Sequence, residues 1–152
     1  MPQPLFTHDP RLPFVPELNE HQRLELQWQA AASTGHPAAF RDALADGSQG
    51  PELLVIPAGA FEMGSPPSEF GHRPEEGPQH YHTQPQAYAL GRFTVTAEEF
   101  ARFEAATGWH WRPDLIRAEG RLPVVNIRVA EALAYCHWLS AQPLPASFQR
   151  GD

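Results

Sequence analysis

Proline supplies 17 of the 152 residues, about twice the ordinary share of roughly 5%. A proline lacks the backbone N–H and holds φ fixed, so it is excluded from helix interiors and central strands. A chain so rich in it favours long irregular connections over a compact bundle of helices. Pro2, Pro4, Pro10, Pro13 and Pro16 crowd the start, and Pro66, Pro67, Pro74 and Pro78 fall in one later stretch. Most apolar residues lie between Leu53 and Leu139. The length suits one domain, with a short appendage at most.

Charge narrows the classes of partner. The formal net charge is −7, and all 11 basic residues are arginines, scattered along the chain. Nucleic-acid binding needs clustered Lys and Arg, so no nucleic-acid partner is expected, and no anionic membrane surface on the same ground. No stretch approaches the ~20 apolar residues of a membrane helix. The segment from Met1 to Pro10 has neither a basic nor an apolar region of a secretory signal. With the single cysteine, Cys136, no internal disulfide can form. A cytoplasmic location is the expectation.

Four segments follow from local signals. Residues 1–16 read as an extended or disordered lead-in, and residues 17–50 as a short helical segment with a linker. In the latter, Asn19 and Gln22 fit a capping box ahead of a helix over about 20–32 with Leu24, Trp28 and Ala31 on one face. A second short helix is expected from Ala38 to Leu44, before the linker Asp46–Pro51. From Glu52 the texture changes. Leu53–Ile56 and Ala60–Gly64 read as two short strands with a tight turn, a loop spans 65–79, and His80–Leu90 is strand-like with a break at Pro85. Thr96 and Glu99 form a second capping box, with two acids in the first turn to suit the helix dipole. Phe100, Phe103 and Ala106 or Thr107 share one face, and Gly108 stands at the helix end. A further helix over about 129–140 carries Val129, Ala132, Leu133, Cys136 and Leu139 or Ser140 on an apolar stripe expected to face the core. Residues 143–152 read as an irregular tail. Mixed elements without an internal repeat make the fold class α+β.

Several pieces in order carry a family likeness over residues 52–142. They are Val55-Ile56-Pro57-Ala58-Gly59-Ala60-Phe61-Glu62-Met63-Gly64-Ser65, Glu75-Glu76-Gly77-Pro78-Gln79-His80, and Tyr88-Ala89-Leu90-Gly91-Arg92-Phe93-Thr94-Val95-Thr96. Then come Glu99-Phe100-Ala101-Arg102-Phe103, Ala106-Thr107-Gly108-Trp109, Pro123-Val124-Val125-Asn126 and Glu131-Ala132-Leu133-Ala134-Tyr135-Cys136-His137-Trp138-Leu139-Ser140. Together they resemble the opening of the formylglycine-generating enzyme, or sulfatase-modifying factor, family. The resemblance implies an incomplete C-type lectin-like domain with short strands, two packed helices and much irregular loop.

Two departures from the family pattern stand out. Arg128-Val129 occupies the place of a Ser-Trp pair, which implies a lost helix cap, about 1 kcal/mol, and a shrunken core side chain; Asn126 is a candidate substitute cap. After the last helix the family's R-L-P-x-E-A-E-W-like segment is replaced by Leu144-Pro145-Ala146-Ser147-Phe148-Gln149. The copper-binding cysteine pair and the calcium positions of complete members belong to the second half of the domain and map onto no residue here. The expectation is therefore a truncated family protein with no catalytic residue, no copper or calcium, and no oxidase activity of its own. The alternatives are a non-catalytic lectin-like module that binds a protein or small ligand, and a half-domain completed by a second chain.

Three groups invite a chemical reading. Trp109-His110-Trp111-Arg112 directly follows Gly108, and its aromatics and guanidinium suit a stacking, cation–π ligand surface; the bland reading packs Trp109 under the loop. His80 and His82 share a strand face, and with His72 near in sequence a three-histidine metal site can be drawn. Cys136 on an apolar stripe reads as a small hydrophobe and not as a metal ligand.

Overall fold

Local capping decides where the helices start. The computed structural model describes residues 11–110 and 118–142. In α1 (Glu20–Thr34) the Asn19 side chain accepts the Gln22 N–H, Gln22 returns the bond to Asn19, and Gly35 ends the helix in the left-handed region. The helix is where the pattern puts it, but its expected apolar face is not buried. Ala31 is, while Leu24 and Trp28 stand 43% and 64% exposed.

The strands are β1 (Ala39–Phe40), β2 (Leu53–Ile56), β3 (Gly59–Met63), β4 (His80–Gln84) and β5 (Tyr88–Gly91), and two helices follow, α2 (Ala97–Thr107) and α3 (Val129–Ser140). Strand order is β1-β2-β5 in one sheet and β3-β4 in the other. The result is a small α+β architecture. It divides into two compact units, one built from residues up to Ala38 with Val55–Leu90, the other from Ala39–Leu54 with the residues after Leu90.

The first unit is organised by the β3-β4 hairpin, paired antiparallel from Gly59↔Gln84 to Met63↔His80. The lead-in is ordered against it from residue 11 on. The Ala60 N–H donates to the Pro13 carbonyl at 2.9 Å, Ala60 is fully buried, and the Phe14 and Tyr81 rings lie 5.3 Å apart. Gly59 permits this approach: a Cβ there would stand 2.7 Å from Val15 Cγ2. α1 is tied to β2 by Gln27, whose side-chain amide donates to the Val55 carbonyl.

In the second unit the helix expected over 38–44 is replaced by β1, with Ala39 opposite Leu54 and Phe40 opposite Leu53. A helix of seven residues is too short to pay for its own nucleus. The chain turns back instead at Asp46, whose carboxylate accepts the Ser48 N–H and hydroxyl at 2.9 and 2.6 Å. Those bonds, the hydroxyl's first, hold the Asp46 carboxyl below its ordinary pKa.

The core of this unit is aromatic. Phe100 and Phe103 of α2 and Tyr135 of α3 are buried, with Val95, Trp109, Val124, Ile127, Trp138 and Leu139 packed around them. Phe100 and Tyr135 stack at 5.6 Å, and Phe103 meets Tyr135 edge-on at 5.8 Å. Such pairs add about 0.5–1.5 kcal/mol each beyond the area they bury.

α2 matches its pattern: Thr96 caps it, Glu99 completes the box, and Gly108 closes it at φ 69°. α3 does not. Its buried residues are Glu131 and Tyr135, whereas Val129 and Leu133 of the expected core stripe are 77% and 55% exposed and Cys136 is exposed too. The reason lies in composition, because α3 is apolar on both sides and the face carrying Tyr135 and Trp138 has rings to meet. Val129 therefore leaves no gap in a core. The expected loss of a cap is softened differently as well. Arg128, not Asn126, is the N-cap residue; its N–H donates to the Glu131 carboxylate at 2.7 Å, giving half of a capping box.

Candidate functional site

The 65–79 loop of the first unit folds on itself. Gly64, at φ 90°, starts it where a Cβ would collide with the Glu76 carbonyl oxygen. The Ser65 hydroxyl donates to the Glu76 carboxylate at 2.6 Å and lies 2.7 Å from His72 Nδ1. Since the serine has one proton, this arrangement requires His72 Nδ1 to carry its own and donate it to Ser65 Oγ. The acid thus contacts the serine and not the far side of the imidazole, so this is a loop closure and not a nucleophile–base–acid relay.

The histidines are held apart by their own partners. His80 Nδ1 donates to the Pro78 carbonyl at 2.9 Å, and His82 packs against the Phe61 ring at 5.3 Å. Among the described residues no group of three or more His, Cys, Asp or Glu side chains converges as metal ligands would. Nor does the donor set fit a two-thiolate copper centre, because Cys136 is the chain's one thiol.

Trp109 belongs to the aromatic core, edge-on to Phe100 at 5.4 Å and 6.3 Å from Phe103. His110 is exposed. Trp111 and Arg112 lie outside the described residues.

The second unit also holds a cleft of about 130 Å³ lined by Arg41, Glu52, Phe93, Glu98, Arg102 and Arg121, among others. Backbone bonds set one wall: the Ala97 N–H donates to the Leu122 carbonyl at 2.9 Å and the Glu98 N–H to the Gly120 carbonyl at 2.8 Å. These carry Arg121 to the start of α2. Glu52 lies 3.4 Å from Arg41 and 3.0 Å from Arg92, and Glu98 pairs with Arg102 at 3.4 Å. Glu99 is turned to the cap, accepting from the Thr96 N–H and hydroxyl at 2.9 Å each. Sequence reasoning misses this cleft because its arginines lie far apart along the chain.

Short antiparallel strands with two helices closed over an aromatic cluster form a fold of the formylglycine-generating-enzyme kind. The chain belongs to the sulfatase-modifying factor enzyme 1-like domain family, whose model matches residues 39–150. Among solved structures it is similar to PvdO from Pseudomonas aeruginosa, at 33% sequence identity and a TM-score of 0.55. That match covers 67% of this chain and 42% of that one, so the chain spans less than half the length of this relative. No curated protein matches.

Proposed function

We propose that this chain is the front, scaffolding part of a sulfatase-modifying-factor-type domain, has no oxidase activity of its own, and is completed by further polypeptide packed on the apolar face of α3. The observation that carries the reading is that face, where Val129 and Leu133 stand 77% and 55% exposed beside the exposed Cys136. Val129 and Leu133 are four residues apart and so share one helix face, the grouping that an interaction surface requires. The match covers 42% of PvdO, and the length of that relative beyond the match supports the reading. The lone cysteine supports the absence of oxidase chemistry, for family members hold copper with a pair of them.

The test incubates the purified chain with copper and a Cys-x-Pro-x-Arg peptide, read by mass spectrometry. No formylglycine is expected, and its formation would overturn the reading. In parallel, a hydrophobic dye is expected to bind the folded chain and to bind less after Leu133→Asp. No helix among the described residues is long and apolar enough to cross a membrane. The cytoplasm is our proposed compartment, supported by a cysteine content that offers no internal disulfide.

A further inference from the structure

The arginine-lined cleft carries an inference that does not depend on what covers α3. Three of its side chains, Arg41, Arg102 and Arg121, come from the strand β1 region, from the middle of α2 and from the segment laced to the start of α2. Three arginines and three glutamates line the cleft, so its charges balance, but the pairing leaves one guanidinium over. Glu52 is shared between Arg41 and Arg92, and Glu98 is matched by Arg102 across a loose 3.4 Å. Glu99 is the one acid here without an arginine partner, and both its contacts are to Thr96. Arg121 makes no ion pair with any described residue. The backbone N–H groups of Ala97, Glu98 and Glu99 are all engaged, by Leu122, Gly120 and the Thr96 hydroxyl. Any affinity for an anion therefore comes from the guanidinium groups and not from the helix end.

We propose that this cleft binds a carboxylate, with Arg121 as the principal partner; Arg41 and Arg102, which already donate to the Gly50 and Gln49 carbonyls and to glutamates, add positive charge nearby. A planar guanidinium fork matches a carboxylate with two parallel hydrogen bonds. A singly charged ligand suits a site where Glu98 and Glu99 stand close by and would repel a second negative charge. The cleft, about 130 Å³, has room for a carboxylate on a short carbon stem. Phe93, 60% exposed and on the cleft wall, offers an apolar surface for that stem. The carboxylate belongs either to a free small acid or to an acidic side chain of a polypeptide.

The test is a titration of the full chain at low ionic strength, followed by ¹H–¹⁵N NMR of backbone and arginine Nε–H signals. The probes are propionate, inorganic phosphate, and a capped Ala-Glu-Ala peptide. Saturable shifts confined to the cleft with propionate or the peptide, at millimolar affinity, are expected. Arg121→Gln is expected to weaken them by about tenfold, or about 1.4 kcal/mol, because the charged partner of the carboxylate is lost. Arg121 is exposed, and an unchanged spectrum elsewhere shows that the variant is folded. A peptide that binds about tenfold tighter than propionate assigns the site to a polypeptide side chain; equal affinity assigns it to a free acid. Phosphate binding tighter than either carboxylate, shifts that never saturate, or shifts untouched by Arg121→Gln would each overturn the proposal.

Discussion

α2 and α3 are neighbours in the same aromatic core, yet they relate to their sequences in opposite ways. α2 has a full capping box, a glycine stop and one apolar face, and it buries that face: Ala97, Phe100 and Phe103. α3 has half a box and apolar residues on both sides, and it buries Tyr135 and Glu131 while Val129 and Leu133 stay in water. An amphipathic helix announces its inward face, because only one face gains by leaving water. A helix apolar all round announces only that something must cover it. The difference therefore teaches where spacing is enough and where a partner surface must be known.

The comparison breaks most readily at the ring they share. Phe100 is 2% exposed and touches Phe103, Trp109 and Tyr135, so Phe100→Ala is expected to cost about 3–5 kcal/mol in urea unfolding. A loss under about 1 kcal/mol would mean that the core is not closed.

A second way in is through Tyr135 and pH. Burial, with smaller contributions from Glu99 and Cys136, pushes its phenol pKa up to about 12, against an ordinary value of about 10. Below pH 10 both folded and unfolded states keep the proton. Between about pH 10 and 12 the unfolded state releases it first, so the folded state loses ground as pH rises and levels off above that window. The chain has no lysine to blur that range. Urea midpoints measured across it are expected to fall more steeply for the parent chain than for Tyr135→Phe.

The helix caps supply a smaller effect. Thr96→Ala removes the acceptor of the Glu99 N–H and is expected to cost about 1 kcal/mol. Arg128→Lys, which keeps a cation for the buried Glu131 carboxylate now 3.1 Å from Arg128 Nε at a position whose side chain accepts no capping bond, is expected to cost less. Equal losses would erase the distinction between the two helix starts. Smallest of all is Leu133→Ser, expected to lie within about 0.5 kcal/mol in the isolated chain. A loss above 2 kcal/mol in a complex with its covering polypeptide, but not alone, would sharpen the contrast between the faces of α3.

Much of this fold is legible along the chain. The three helices occupy stretches free of proline, two of them open on boxes visible as Asn19–Gln22 and Thr96–Glu99, and the hairpin of β3 and β4 flanks the proline-rich 65–79 loop. The segment 38–44 is not legible, because a two-residue strand is defined by its neighbour β2 and not by its own pattern. The candidate site is less legible still. Of the residues singled out by composition, Trp109 serves the core, and His72, His80 and His82 each have a separate partner.

What the sequence determined by itself are features set by bonds and conformations only a few residues long: where helices begin and end, where proline forbids them, and the single thiol. Tertiary structure decided which face of α3 turns inward and which arginines meet. Arg41, Arg102 and Arg121 lie too far apart along the chain for any local interaction to link them. They share a cleft because the Leu122 and Gly120 carbonyls accept the first N–H groups of α2, and because hydrophobic burial rewards contact between surfaces without regard to sequence order.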